Sequence, residues 1–132
     1  IIAVDTGTII NKINISSEVK PIIVDKNLFL ISKNGLLICI NILSGKIIYS
    51  YEINQKIAEY YNIKKQNVDF KDMNLANGNI FILLKNSFVI EFELSGNLKR
   101  IFKLPKKIDS NLIFAENLIL YLNKNKKLVV LD

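Results

Sequence analysis

Residues 32–53 read SKNGLLICINILSGKIIYSYEI, an unbroken apolar run at residues 36–40 framed by glycine turns at Gly35 and Gly45. A half-exposed antiparallel strand alternates apolar and polar side chains, whereas a continuously apolar strand belongs to a sheet covered on both faces. The stretch therefore calls for sheets stacked on one another. One such unit cannot cover itself, so the reading depends on whether the unit recurs.

Three segments show that it does: VDKNLFLISKNGLLICIN from Val24, ANGNIFILLKNSFVIEF from Ala76, and AENLILYLNKNKKLVVLD from Ala115. Each reads as turn, strand, short polar turn, strand, with Asn27, Asn79 and Asn117 as matching positions. A Ser-Gly or Thr-Gly turn followed by another strand closes the unit in NILSGKIIYSYEI and FELSGNLKRIFKL, and the opening AVDTGTIINKINI carries the same feature. Gly7, Gly45 and Gly96 mark these turns at intervals that average about 45 residues, the period of a β-propeller blade. In the best-preserved unit the strands are expected over residues 21–24, 28–32, 36–41 and 46–53. Asn34-Gly35 and Asn77-Gly78 suit turns that need positive φ, and helical spacing is poor throughout. The expected fold is all-β: about three four-stranded antiparallel blades of a β-propeller, a segment of a larger one. A β-sandwich also accommodates many short strands but does not explain the recurring Asn and Ser-Gly positions.

Composition removes several kinds of function. At 132 residues the chain can bury one core, and half of its residues are hydrophobic without any run long enough for a transmembrane helix. The single cysteine, Cys39, excludes an internal disulfide and multi-cysteine metal sites, and the absence of His excludes His-based triads and metal sites. The net charge of +6 comes from 18 Lys and Arg residues, of which only Arg100 is Arg, spread mostly through turns. Nucleic-acid readers cluster Arg and Lys with stacking aromatics, so no nucleic-acid partner is expected. The opening IIAVD lacks an initiator Met, so the chain is expected to be a piece of a longer polypeptide, with any targeting signal upstream.

The residues 20–53, KPIIVDKNLFLISKNGLLICINILSGKIIYSYEI, resemble the repeat of the PQQ-like β-propellers, with Pro21, Gly35, Asn41, Ser44 and Gly45 in matching places, as are Asp5, Thr6 and Gly7. The resemblance implies one end of a blade at residues 1–15, a blade at 19–53, an insertion at 54–67, a blade at 68–104 and an incomplete blade at 108–132. Tyr49 and Arg100 stand where the family often carries Trp. Quinoprotein dehydrogenases in this superfamily hold pyrroloquinoline quinone beside a calcium ion, between an aromatic platform and adjacent cysteines, and nothing here matches that sandwich. A quinoprotein segment whose active residues lie elsewhere is the alternative. The resemblance is nearer in character to the BamB-type branch, a non-catalytic lipoprotein subunit of the outer-membrane β-barrel assembly machinery. It implies a periplasmic scaffold for protein partners, a β-barrel assembly component among them, held at the outer membrane by an upstream lipidated residue, with no enzyme activity, cofactor, metal or membrane span. Open end blades are also expected to self-associate.

Among single residues, Tyr60, Tyr61, Lys64 and Lys65 in the insertion form the candidate partner contact, since Tyr offers apolar area with a polar tip and loops carry recognition. The reading favoured over that one is a tolerated surface insertion with its tyrosines folded against the neighbouring blade, because long loop insertions cost little. Glu59, Asp69 and Asp72 lack the close oxygen spacing of a calcium loop and read as a solvated face. Cys39, flanked by Ile38 and Ile40, reads as a small hydrophobe. Lys106, Lys107 and the lysines of residues 123–127 read as solvated turns that discourage edge pairing. Gly7, Gly35, Gly45 and Gly96 are expected to be turn residues, and Asn14-Ile15-Ser16 matches a glycosylation sequon by chance.

Overall fold

The structure is a computed structural model that describes residues 1–9 and 12–132. Among the described residues eleven strands form three antiparallel sheets of four, four and three strands, each in simple meander order. The first holds β1 (Ile22–Val24), β2 (Asn27–Ile31), β3 (Leu36–Asn41) and β4 (Ile47–Glu52). The second holds β5 (Phe70–Ala76), β6 (Asn79–Leu84), β7 (Phe88–Glu93) and β8 (Leu98–Lys103). The third holds β9 (Ile113–Ala115), β10 (Leu118–Leu122) and β11 (Leu128–Leu131). These are blades of a partial β-propeller.

Turn chemistry sets the register. β1–β2, β5–β6 and β9–β10 are joined by two-residue turns, since Val24 pairs with Asn27, Ala76 with Asn79 and Ala115 with Leu118. Asp25, Asn77 and Glu116 take positive φ there, the backbone that lets a two-residue hairpin follow the strand twist. This corrects one expected equivalence: Asn117 lies in the turn, and Leu118 holds the place of Asn27 and Asn79. The β2–β3 turn also repeats, with its left-handed position filled by Gly35, Ser87 and Lys126 in successive sheets. Only the first of these is free of the steric cost that a Cβ brings to that conformation.

Stacking follows from the two-residue period of strands. On β6, Ile80, Ile82 and Leu84 join a core with Phe29, Ile31, Leu37 and Cys39 of the first sheet. The alternate residues Phe81 and Leu83 join a second core with Ile108, Leu112 and Tyr121 on the side of the third sheet. The second sheet is thus covered on both faces, which is why its central strands are continuously apolar. The far face of the first sheet, Leu30, Ile38 and Ile40, is covered by Ile13 and Ile15. Residues 1–9 contribute an isolated Ile2–Ile9 bridge, and the strand expected after Gly7 runs across residues 10 and 11, outside the described residues. The far face of the third sheet exposes Ile113, Leu118, Leu122, Leu128 and Val130.

The insertion expected at residues 54–67, where helical spacing reads as poor, is partly helical. Residues 53–61 form α1 (Ile53–Tyr61), and β4 stops at Glu52. Ile53, Ile57 and Tyr61 recur at four-residue steps with Asn54 and Ala58 beside them, a narrow stripe that buries Ile53, Asn54 and Ala58. Ile53 is fully buried in the core between the first two sheets, worth roughly 1.5–3 kcal/mol relative to exposure. The Ile53 N–H donates to the Gly35 carbonyl at 2.9 Å, which ties the helix start to the β2–β3 turn. Its end is set by Asn62 in the left-handed region, φ 52°, with the Ile63 N–H donating to the Ala58 carbonyl at 3.0 Å.

Candidate functional site

Docking α1 against the second sheet leaves a hollow between helix and blade. Its volume is about 180 Å³, and Ile57, Ala58, Tyr61, Val68, Leu84 and Phe88 make most of its wall. Asn54, Gln66, Asn86 and Lys64 add polar groups. Asn54 is 7% exposed, and its Oδ1 has no hydrogen-bond partner. Its Nδ2 makes one long bond, 3.4 Å, to Asn67 Oδ1. A buried amide acceptor without a donor costs roughly 1–3 kcal/mol, a local penalty at this position. Asn54 also borders a more polar hollow of about 390 Å³ beside Lys33, Gly35 and Phe70.

The four residues expected to touch a partner separate into different environments. Tyr61 and Lys64 line the hollow, while Tyr60 stands outside it with its ring edge-on to Tyr61 at 5.0 Å. Both tyrosines are exposed. Lys65 is engaged elsewhere, donating to Glu52 at 2.8 Å. Ile57, Leu84, Phe88 and Ile101 were not legible as site residues, because they come from α1, β6, β7 and β8 and only packing brings them together. The four-residue spacing of Ile53, Ile57 and Tyr61 is the one signal that could have found them, and nine residues are too few for it to stand out.

The carboxylates divide similarly. Glu59 Oε1 accepts from Gln55 on the same helix at 3.0 Å, and Asp72 Oδ2 accepts from Asn74 at 3.1 Å. Among the described residues, no three Cys, Asp or Glu side chains converge as a metal site would need. The buried carboxylate is instead Glu91, 3% exposed, on the face of the second sheet toward the third. Its Oε1 accepts from Asn79 at 2.7 Å and meets Lys99 at 3.4 Å, while Oε2 is bonded to Arg100. Burial alone pushes this carboxyl up, but the bonds from Arg100 and Asn79, with the Arg100 charge, outweigh it and hold it below the ordinary glutamate value. Burial pushes the Cys39 thiol up, so it stays a neutral, unreactive packing group.

Of the repeat glycines, Gly7, Gly35 and Gly45 have φ near +70°, and Gly96 has φ +89°. Gly96 has a further constraint: a Cβ there would lie 2.3 Å from the Tyr51 ring of the first sheet.

No protein-family profile matches the chain, and no curated protein matches it. Its fold is similar to that of BamB from Moraxella catarrhalis, with a TM-score of 0.72 at 12% identity over 98% of this chain and 35% of that one. It is also similar to the computationally designed Ika8 protein, with a TM-score of 0.55 at 14% identity over 83% of this chain and 31% of that one. The chain spans about a third of the length of each, and identities this low establish likeness of fold alone. No helix of the described residues is long and apolar enough to cross a membrane.

Proposed function

We propose that this chain is a segment of a non-catalytic β-propeller scaffold that binds protein partners, similar in role to the BamB-type subunit of outer-membrane β-barrel assembly. The observation that carries the reading is the helix-bearing insertion on a BamB-like fold: α1 presents Tyr60 and Tyr61 outward beside an apolar hollow with amide groups. Exposed tyrosines beside an apolar depression are the composition of a protein-recognition surface. The setting proposed with it is the periplasm, with anchoring at the outer membrane through a lipidated residue upstream.

Site-specific photo-crosslinking from position 60 in the parent protein tests this. Crosslinks to a β-barrel assembly component are expected. Saturable binding of pyrroloquinoline quinone with Ca²⁺ by the parent, and no protein crosslink, would overturn the reading in favour of a quinoprotein oxidoreductase.

The exposed Ile113, Leu128 and Val130 support a second part of the proposal, that the far face of the third sheet is covered by another blade or another copy. The isolated chain is then expected to self-associate in light scattering, and Val130→Lys to reduce its mass toward the monomer. A monomer at all concentrations would remove this part.

A further inference from the structure

We infer that the hollow between α1 and the second sheet is an anchor pocket for one large apolar side chain of an acidic protein segment. The inference rests on the scaffold reading and names the partner chemistry that this site would take.

Size comes first. Pockets for whole small ligands run roughly 300–1,000 Å³, whereas about 180 Å³ is the scale of a single aromatic or branched aliphatic side chain. Interfaces concentrate their affinity in such anchors, seated in desolvated pockets and ringed by weaker contacts. Ile57, Ala58, Leu84 and Phe88 supply the apolar wall.

Charge selects the flanks of the anchor. Lys64 lines the hollow, and Lys103 sits over the Phe88 ring of its wall at 5.6 Å. Among the described residues neither of these two lysines has an ion-pair partner. No carboxylate of the described residues lines the hollow: Glu52 is paired with Lys65, and Glu59, bonded to the neutral Gln55 amide, lies outside the wall. With Lys64 the one charged residue of the described lining and Lys103 beside it, the rim is positive, which favours a segment with Asp or Glu flanking the anchor.

The orphaned amide provides an independent pointer. Asn54 forms part of the pocket wall, is more than nine-tenths buried, and lacks a donor for Oδ1. A peptide N–H delivered with the anchor, after a small rotation of the amide, would satisfy it. Specificity then comes from an acceptor that is costly to leave unmatched.

The test uses fluorescence-labelled short peptides with acidic flanks and a single central Phe, titrated into the chain. Binding is expected to saturate, and to weaken by at least roughly tenfold when Phe becomes Ala or when the flanks become Lys. Lys64→Glu, an exposed change, is expected to weaken binding of the acidic peptide and to strengthen that of the Lys-flanked one. Tyr61→Ala should weaken both, with circular dichroism confirming that each variant is folded. Equal binding of the Phe and Ala peptides, or indifference to Lys64→Glu, would overturn the proposal. Loss of self-association in Lys64→Glu would also overturn it, by assigning the pocket to a second copy. Crosslinks to a protein partner from position 60 combined with no peptide binding would sink the pocket and leave the scaffold. Absence of both would sink the two together.

Discussion

The two interfaces of the second sheet are built from equivalent positions with opposite chemistry. Toward the first sheet, the paired residues are Cys39 and Tyr49; toward the third, the same register places are Glu91 and Arg100. Tyr49 packs against the shared core and donates its hydroxyl to the Leu94 carbonyl of the next blade at 2.8 Å. Its ring lies 5.1 Å from Tyr51, and both rings close over Gly96. The other interface instead holds a carboxylate answered by Arg100, Lys99 and Asn79 within its own sheet. At this position one seam binds blade to blade directly, while the other satisfies its polar groups within the sheet; there the joining is left to Phe81, Leu83, Ile108 and Tyr121, and to bonds elsewhere along the seam from Lys71 to the Asp109 carbonyl and from the Ile108 N–H to Ser87 Oγ. The same blade position can therefore either clasp a neighbour or stabilise its own strand pair.

Breaking the aromatic seam is expected to have the largest effect. Gly96→Ala imposes a left-handed backbone on a Cβ and drives it into the Tyr51 ring, a loss on the order of 3 kcal/mol in denaturant unfolding. A loss under about 1 kcal/mol would mean that the rings move aside freely. On the charged side, Arg100→Ala leaves Glu91 buried with only Lys99 and Asn79. Because the Arg100 side chain is itself 56% exposed, the loss is expected below the usual range for a broken buried pair, at about 2 kcal/mol. Tyr49→Phe removes only the bond to Leu94 and should cost about 1 kcal/mol.

The finest distinction is in pH dependence. The folded carboxyl of Glu91 lies below its unfolded value, so its contribution is full above the ordinary glutamate range and is lost as pH falls through the folded value. Asp109 shifts in the same direction, through its bond to Lys126. Unfolding of the wild-type chain below about pH 4 should therefore be steeper in pH than that of Glu91→Gln. Tyr49 is pushed well above the ordinary phenol range by burial and by its Cys39 and Tyr51 neighbours, so the aromatic seam should not respond to pH in this acid window. Equal acid slopes in the two proteins would show that Glu91 does not carry the difference.

Much of the architecture was legible in residues because strands encode their burial locally. The apolar run at residues 36–40 announced a two-faced sheet, and the glycine turns announced its repetition. The helix was hidden by its length: nine residues give two and a half turns, too few for Ile53, Ile57 and Tyr61 to stand out as a period. Asn117 misled because an Asn serves equally well in a turn and at a strand's first position, and only the Ala115–Leu118 pairing separates them. Of the candidate contact residues, Tyr61 and Lys64 reached the hollow and Lys65 was taken by Glu52, a distinction that depends on the path of the chain after α1.

By itself, then, the sequence determined the strand pattern, the repeat and the need for stacked sheets, because side-chain alternation and positive-φ turns are properties of neighbouring residues. Only the tertiary structure decided which lysines stand unpaired beside the hollow, which amide is left without a donor, and that Tyr49 and Gly96 close one seam while Glu91 and Arg100 occupy the other. Those outcomes depend on register and on packing between sheets. Both are set by contacts among residues far apart in the chain, which no local pattern records.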